Sequence, residues 1–81
     1  MNLSVEISMY PLADDYIPPI QGFIDTLNRH PQLTVLTNTM STQVFGPYDT
    51  VLKVVGEAMK AFHAEGKASF VCKFLGGDLR P

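Results

Sequence analysis

Leu3-Ser4-Val5-Glu6-Ile7-Ser8-Met9-Tyr10-Pro11 is the stretch that decides the fold. Apolar and polar side chains alternate from Leu3 to Tyr10 without a break. Successive strand residues face opposite ways, so Leu3, Val5, Ile7 and Met9 point to one side and Ser4, Glu6, Ser8 and Tyr10 to the other. This is a half-buried strand with one polar face. Pro11 stops it, because a proline nitrogen cannot donate to a ladder.

The chain beyond it supplies a roof and partners for that strand. Asp14 and Asp15 can cap a helix. Ile17, Ile20, Phe23, Ile24 and Leu27 then recur at spacings of three and four, an amphipathic helix. Pro18 and Pro19 fit only its first turn, so it starts between Asp15 and Pro18. Pro31 ends it at or just before His30. Leu33 to Thr39 reads as an edge strand and Ser41 to Phe45 as a third strand, with a tight turn near Met40. Gly46-Pro47 opens a second helix whose stripe is Val51, Leu52, Val55, Ala58, Met59 and Phe62. Gly66 fits its C-terminal cap. Ala68 to Leu75 is the fourth strand, with Phe70, Cys72 and Phe74 on one face, and 76–81 is expected to be a mobile tail. The order is βαββαβ. Right-handed crossovers place both helices on one side of a single antiparallel sheet. This predicts an α+β, ferredoxin-like sandwich, a four-stranded antiparallel sheet with two helices on one face. The other face, carrying Ser4, Glu6 and Ser8, is expected to be open and ready to meet a ligand or another subunit.

Composition bounds the function. With 81 residues, 46% of them apolar and 17% charged, the chain is globular and has room for one domain, 1–81. Such a domain buries roughly 60–65% of its extended-chain surface, which gives modest stability that self-association would raise. The single cysteine, Cys72, excludes an intrachain disulfide. No apolar run approaches the ~20 residues of a membrane span, and Met1 to Glu6 has no basic-then-apolar pattern of a signal peptide. A cytoplasmic protein without membrane insertion is expected. The net charge is −2, and the six Lys and Arg residues stand singly. That argues against nucleic acid, whose binders carry a basic patch. RNA recognition on this topology also needs exposed aromatics on the central strands, and only Tyr10 and Phe45 offer themselves.

No catalytic constellation stands out, and the chain is not expected to be an enzyme or to carry a cofactor. Cys72 alternates with two phenylalanines and reads as a core residue, since apolar surroundings disfavour the reactive thiolate. His30 and His63 sit near helix ends, where a positive imidazole suits the dipole. Two distant histidines and one cysteine do not make the three or four ligands of a metal site. Gly76-Gly77 follows a strand but opens no helix, so it is no phosphate loop. Gly22 and Gly56 lie inside helices, each at about 1 kcal/mol against alanine, and close packing is the simplest reason for them.

Three clusters remain. Tyr10-Pro11-Leu12-Ala13-Asp14-Asp15-Tyr16 joins an aromatic ring, a rigid turn and two carboxylates, which would suit a flat cationic heterocycle or serve only as a lidded helix cap. Thr37-Asn38-Thr39-Met40-Ser41-Thr42-Gln43 is dense in neutral donors and acceptors, which suit an amino-heterocycle edge or simply a polar turn. Phe45-Gly46-Pro47-Tyr48-Asp49 needs no reading beyond strand stop and helix start.

Together, the clusters resemble a family. Ile7-Ser8-Met9-Tyr10-Pro11-Leu12 followed by Asp14-Asp15-Tyr16-Ile17 is similar to the first-strand signature of the YkoF-like thiamine/hydroxymethylpyrimidine-binding domains. Thr37-Asn38-Thr39-Met40-Ser41-Thr42, with Gly46 four residues on, is similar to their second hairpin, and Phe74-Leu75-Gly76-Gly77-Asp78 to their ending. The resemblance implies non-catalytic binding of thiamine or its hydroxymethylpyrimidine moiety, in salvage or transport. For a single-domain chain it also implies a homodimer or homotetramer. By position it assigns ligand contacts to Tyr10, Asp15, Thr37 and Thr42, with Ser8, Asn38 and Ser41 as pocket neighbours. Glu6 departs from the pattern; it would pair with a ligand cation or a partner's lysine, or else signal a different ligand. An acidic rim would aid encounter with the thiazolium ring. Hydroxyls and amides within would select the aminopyrimidine, because a buried polar group left unpaired costs ~1–3 kcal/mol. The alternative is a regulatory or structural oligomerisation domain with no small-molecule ligand.

Overall fold

A computed structural model describes residues 1–12 and 17–81. The elements are β1 (Asn2–Pro11), α1 (Ile17–Asn28), β2 (Thr34–Thr37), β3 (Thr42–Pro47), α2 (Tyr48–Glu65) and β4 (Ala68–Gly76). They form a four-stranded sheet in the order β2-β3-β1-β4, antiparallel at every pairing. The fold is the expected ferredoxin-like sandwich.

The alternation of β1 sets the layers. Leu3, Val5 and Ile7 are each buried and join Val44 of β3, Phe23 and Leu27 of α1, and Val51, Val54, Val55 and Ala58 of α2 in one core. Phe23 is its aromatic hub, edge-on to Phe62 with centroids 6.0 Å apart and tilted against Phe70 at 5.1 Å. Gly22 lets the two helices close on each other, since a Cβ there would lie 3.2 Å from the Phe62 ring. At Gly56 a Cβ would meet nothing within 4 Å, so packing does not explain that glycine.

Several boundaries and faces differ from expectation. β2 is confined to Thr34–Thr37 and the turn spans Asn38 to Ser41. The Asn38 side chain ends the strand: its Oδ1 accepts the N–H groups of Met40 and Ser41, both at 2.8 Å. In α2, Val54 is buried where Leu52 was expected, and Leu52 is exposed. Val51, Val55 and Ala58 define the inward direction, and at about 100° per residue Leu52 is turned away from it. Phe74 stands opposite Val5, yet it is 47% exposed because β4 is the edge of the sheet, beyond the helical roof. Gly66 caps α2 through its N–H to the Phe62 carbonyl, but with extended backbone that any residue adopts. The capping role read for Asp14 and Asp15 lies outside the described residues.

Of residues 76–81, read from sequence as a mobile tail, Gly76 ends β4 and 77–81 lie back over the open sheet face. Gly77, at φ +137°, makes the turn. Its N–H donates to the Asn2 carbonyl at 2.9 Å. The Ser4 hydroxyl then clasps the tail twice, donating to the Gly77 carbonyl at 2.7 Å and accepting from the Leu79 N–H at 3.0 Å. Arg80 pairs with Asp78 and reaches the Thr34 hydroxyl. The guanidinium holds the Asp78 carboxyl below the ordinary carboxylate range. That contact contributes above the ordinary carboxylate pKa and is lost as pH falls through the lowered one. Under the tail, Phe45 is only 4% exposed although it lies outside the helix-side core. Ser4→Ala removes both clasp bonds. Its expected cost is about 1 kcal/mol, with faster hydrogen exchange at Leu79 and unchanged exchange at Leu27.

Candidate functional site

One end of the sheet is built differently from the other. The β1–β3 pairing stops at Ile7 opposite Thr42, while β1–β4 continues to Pro11 opposite Ala68. Residues 8–11 of β1 therefore run on with a neighbour on one side only. The Asn38–Ser41 turn closes the far side of the gap and the first half of α1 lies beneath it. The result is a cleft of about 380 Å³, within the range of small-molecule sites.

Six of the seven residues assigned from sequence line this cleft: Ser8, Tyr10, Thr37, Asn38, Ser41 and Thr42. The seventh, Asp15, lies outside the described residues. The six do not share a face. Thr37 stands opposite Thr42, and Thr42 opposite Ile7, so both threonines are on the helix side. Ser8 and Tyr10 belong to the open side, as does Ser41, whose hydroxyl donates to Glu6 Oε2 at 3.1 Å. The cleft thus wraps around the overhanging end of β1.

Thr42 is the most confined of the polar lining residues, 7% exposed. Among the described residues its hydroxyl has no hydrogen-bond partner. Asn38 lines the cleft with its Oδ1 committed to its own turn. Tyr10 is half-exposed at the rim. The floor is apolar, with Ile7, Ile20, Phe23 and Ile24. These read from sequence as core residues only. Their double duty comes from the missing stretch of β3, which no pattern in β1 or α1 announces.

Glu6 does not line the cleft. It sits on the open face between Ser41 and Lys73, whose Nζ is 3.7 Å from Oε1. Within the chain, Lys73 is the cation that faces it. Cys72 is half-buried on the helix side, and burial pushes its thiol pKa up, away from the reactive thiolate. Neither His30 nor His63 lines the cleft. Among the described residues no three His, Cys, Asp or Glu side chains gather as a metal site. Of the two aromatics an RNA reader would need, Phe45 is covered by the tail. No helix among the described residues is long and apolar enough to cross a membrane.

Comparison with known proteins places the fold. No family model matches the chain. A phosphoenolpyruvate-protein phosphotransferase of Lactococcus lactis is 32% identical over 71 residues, 83% of this chain, but the chain spans only 12% of that enzyme's length. A solved protein of Streptococcus pneumoniae superposes with a TM-score of 0.87 at 22% identity, covering 98% of this chain and 90% of the other. A candidate thiamine biosynthesis/salvage protein of Thermotoga maritima superposes with a TM-score of 0.81 at 14% identity, covering 99% and 85%. At these identities the structural likenesses establish a shared fold.

Proposed function

We propose that this chain is a YkoF-like domain and binds thiamine or its hydroxymethylpyrimidine moiety, without chemistry, in thiamine salvage or transport. The observation that carries this reading is the cleft at the open end of the sheet. There the confined Thr42 hydroxyl, without a hydrogen-bond partner among the described residues, stands with Thr37 on the side of the apolar floor, while Asn38 and Ser41 line the turn that closes the cleft. The Thermotoga maritima protein of the same fold, described for thiamine biosynthesis or salvage, supports the choice of ligand. Tyr10 at the rim is positioned to cover a bound ring, and Asp15 is assigned to the thiazolium cation on sequence grounds alone.

The test is a thermal-shift titration. Thiamine or hydroxymethylpyrimidine is expected to raise the melting temperature progressively with concentration, by about 2.7 kcal/mol of added stability at one hundred times Kd. Thr42→Val, which keeps the shape and removes the hydroxyl, is expected to bind roughly tenfold more weakly with an unchanged ligand-free melting temperature. A flat titration at millimolar ligand with folded protein ends the proposal. It would leave the second reading, an oligomerisation domain, which one specific feature favours: the β4 edge exposes Val71, Phe74 and Leu75, apolar surface suited to a homodimer or homotetramer. The two readings are compatible in a cytoplasmic assembly that also binds ligand.

A further inference from the structure

The overhang of β1 has a main-chain consequence. In an antiparallel sheet the N–H and C=O of one residue point to the same neighbour, and those of the next residue to the opposite one. Leu12 N–H donates to the Lys67 carbonyl and Gly77 N–H to the Asn2 carbonyl, both at 2.9 Å, so even-numbered residues of β1 face β4. Tyr48 N–H donates to the Met1 carbonyl at 2.9 Å, so odd-numbered residues face β3. The β3 register ends with Thr42 opposite Ile7. Met9 is the next odd residue, and the position opposite it would fall to Met40. Met40 is not in the ladder, because its N–H is already held by Asn38 Oδ1. Among the described residues, the Met9 N–H and C=O on the cleft side have no hydrogen-bond partner.

We infer that the Met9 main chain is the specificity element of the cleft, a paired donor and acceptor that holds an aminopyrimidine-type edge. This rests on the proposed reading of the cleft as a small-ligand site. A ring nitrogen accepts the Met9 N–H, and the adjacent exocyclic amine donates to the Met9 carbonyl. The ring then lies in the plane of the sheet, where the next residue pair would have been. One face turns towards Ile20 and Ile24, and the Thr42 hydroxyl stands beside it. A flat ring fits this gap better than an added peptide strand. A strand needs a succession of donors and acceptors, whereas Pro11, the next outward-facing residue, has no N–H. A ring needs only one such pair. It also explains why the chain leaves the pair open at the apolar-floored end of the sheet, where an unmatched N–H and C=O are otherwise costly.

The experiment is an amide NMR titration of the 15N-labelled protein with hydroxymethylpyrimidine and with the analogue that carries hydrogen in place of the exocyclic amine. Binding is expected to move the Met9 amide proton downfield, further than any other in β1. The analogue is expected to bind roughly ten- to a hundredfold more weakly, since it leaves the Met9 carbonyl unmatched. Met9→Pro deletes the N–H without touching the β4 ladder, and the same spectra report whether it folds. If folded, it is expected to bind at least tenfold more weakly than the parent chain. Saturable binding with the Met9 amide unmoved overturns this assignment while leaving the cleft a ligand site. Failure of every aminopyrimidine to bind, including thiamine, overturns both. Slow exchange of the Met9 amide in the ligand-free protein would reveal an internal partner and also overturns the assignment.

Discussion

Phe23→Ala is expected to destabilise the domain by about 3–5 kcal/mol, the range for removing a buried aromatic side chain. Phe23 is 1% exposed and touches the rings of both Phe62 and Phe70, so it links α1, α2 and β4 through one side chain. A domain of this size has on the order of 4–12 kcal/mol in total, so the loss takes a large share of it. The site is poorly able to collapse, because Phe23 also floors the cleft and the void would merge with open space. Urea denaturation followed by circular dichroism measures this. The midpoint should fall with the slope unchanged. Phe23→Leu should recover more than half of the loss by refilling the volume. A cost below about 1.5 kcal/mol for alanine would show that the helices close over the gap and that Phe23 is not the hub.

Gly46→Val is expected to cost about 3 kcal/mol, at the upper end of the usual overpacking range. The reason is space and not backbone freedom, since Gly46 is not among the residues with positive φ. A Cβ at this position would lie 2.7 Å from Leu33 Cδ2 and 3.2 Å from the Gln32 carbonyl oxygen, with Val51 Cγ2 at 3.5 Å. Leu33 is itself in the core and cannot swing clear without displacing its neighbours. The Gln32 oxygen is main chain and yields only if the α1–β2 connection moves. Valine adds two methyl groups to that contact. Gly46→Ala should show the same effect at about 1–2 kcal/mol, and Gly46→Ala combined with Leu33→Ala should be less destabilised than the sum of the two, a coupling readable from a double-mutant cycle. Strict additivity would place the clash elsewhere.

What could be read from the amino-acid order follows from how local each signal is. The alternation in β1 fixed the two faces of the sheet because each residue's side is set by its immediate neighbours. The Phe23 and Leu27 spacing placed α1 for the same reason. β2 ends two residues earlier than its composition suggests because its end depends on one side chain, that of Asn38, choosing its own turn over the ladder. Leu52 and Val54 are both apolar and flank Val51 and Val55, and only the direction of the core separates them. Phe74 carries the alternation correctly, but its exposure depends on where the roof ends. The candidate site shows the same division. The polar lining residues were legible as clusters of donors and acceptors around Tyr10 and Asn38. That Ile20 and Phe23 join them as a floor follows from a strand length mismatch between β1 and β3. Such a mismatch is a property of pairing and is written in neither strand alone.

A contact made by the peptide unit of Met9 has an unusual relation to genetic change. Every amino acid except proline carries the same amide hydrogen and carbonyl oxygen, so residue 9 is free to drift among apolar types, answering only to the core, while the recognition proposed for it would stay constant. Proteins that share this strand overhang can therefore preserve one ligand preference across sequences that have otherwise diverged almost beyond alignment. What they must keep in common is the early end of a neighbouring strand.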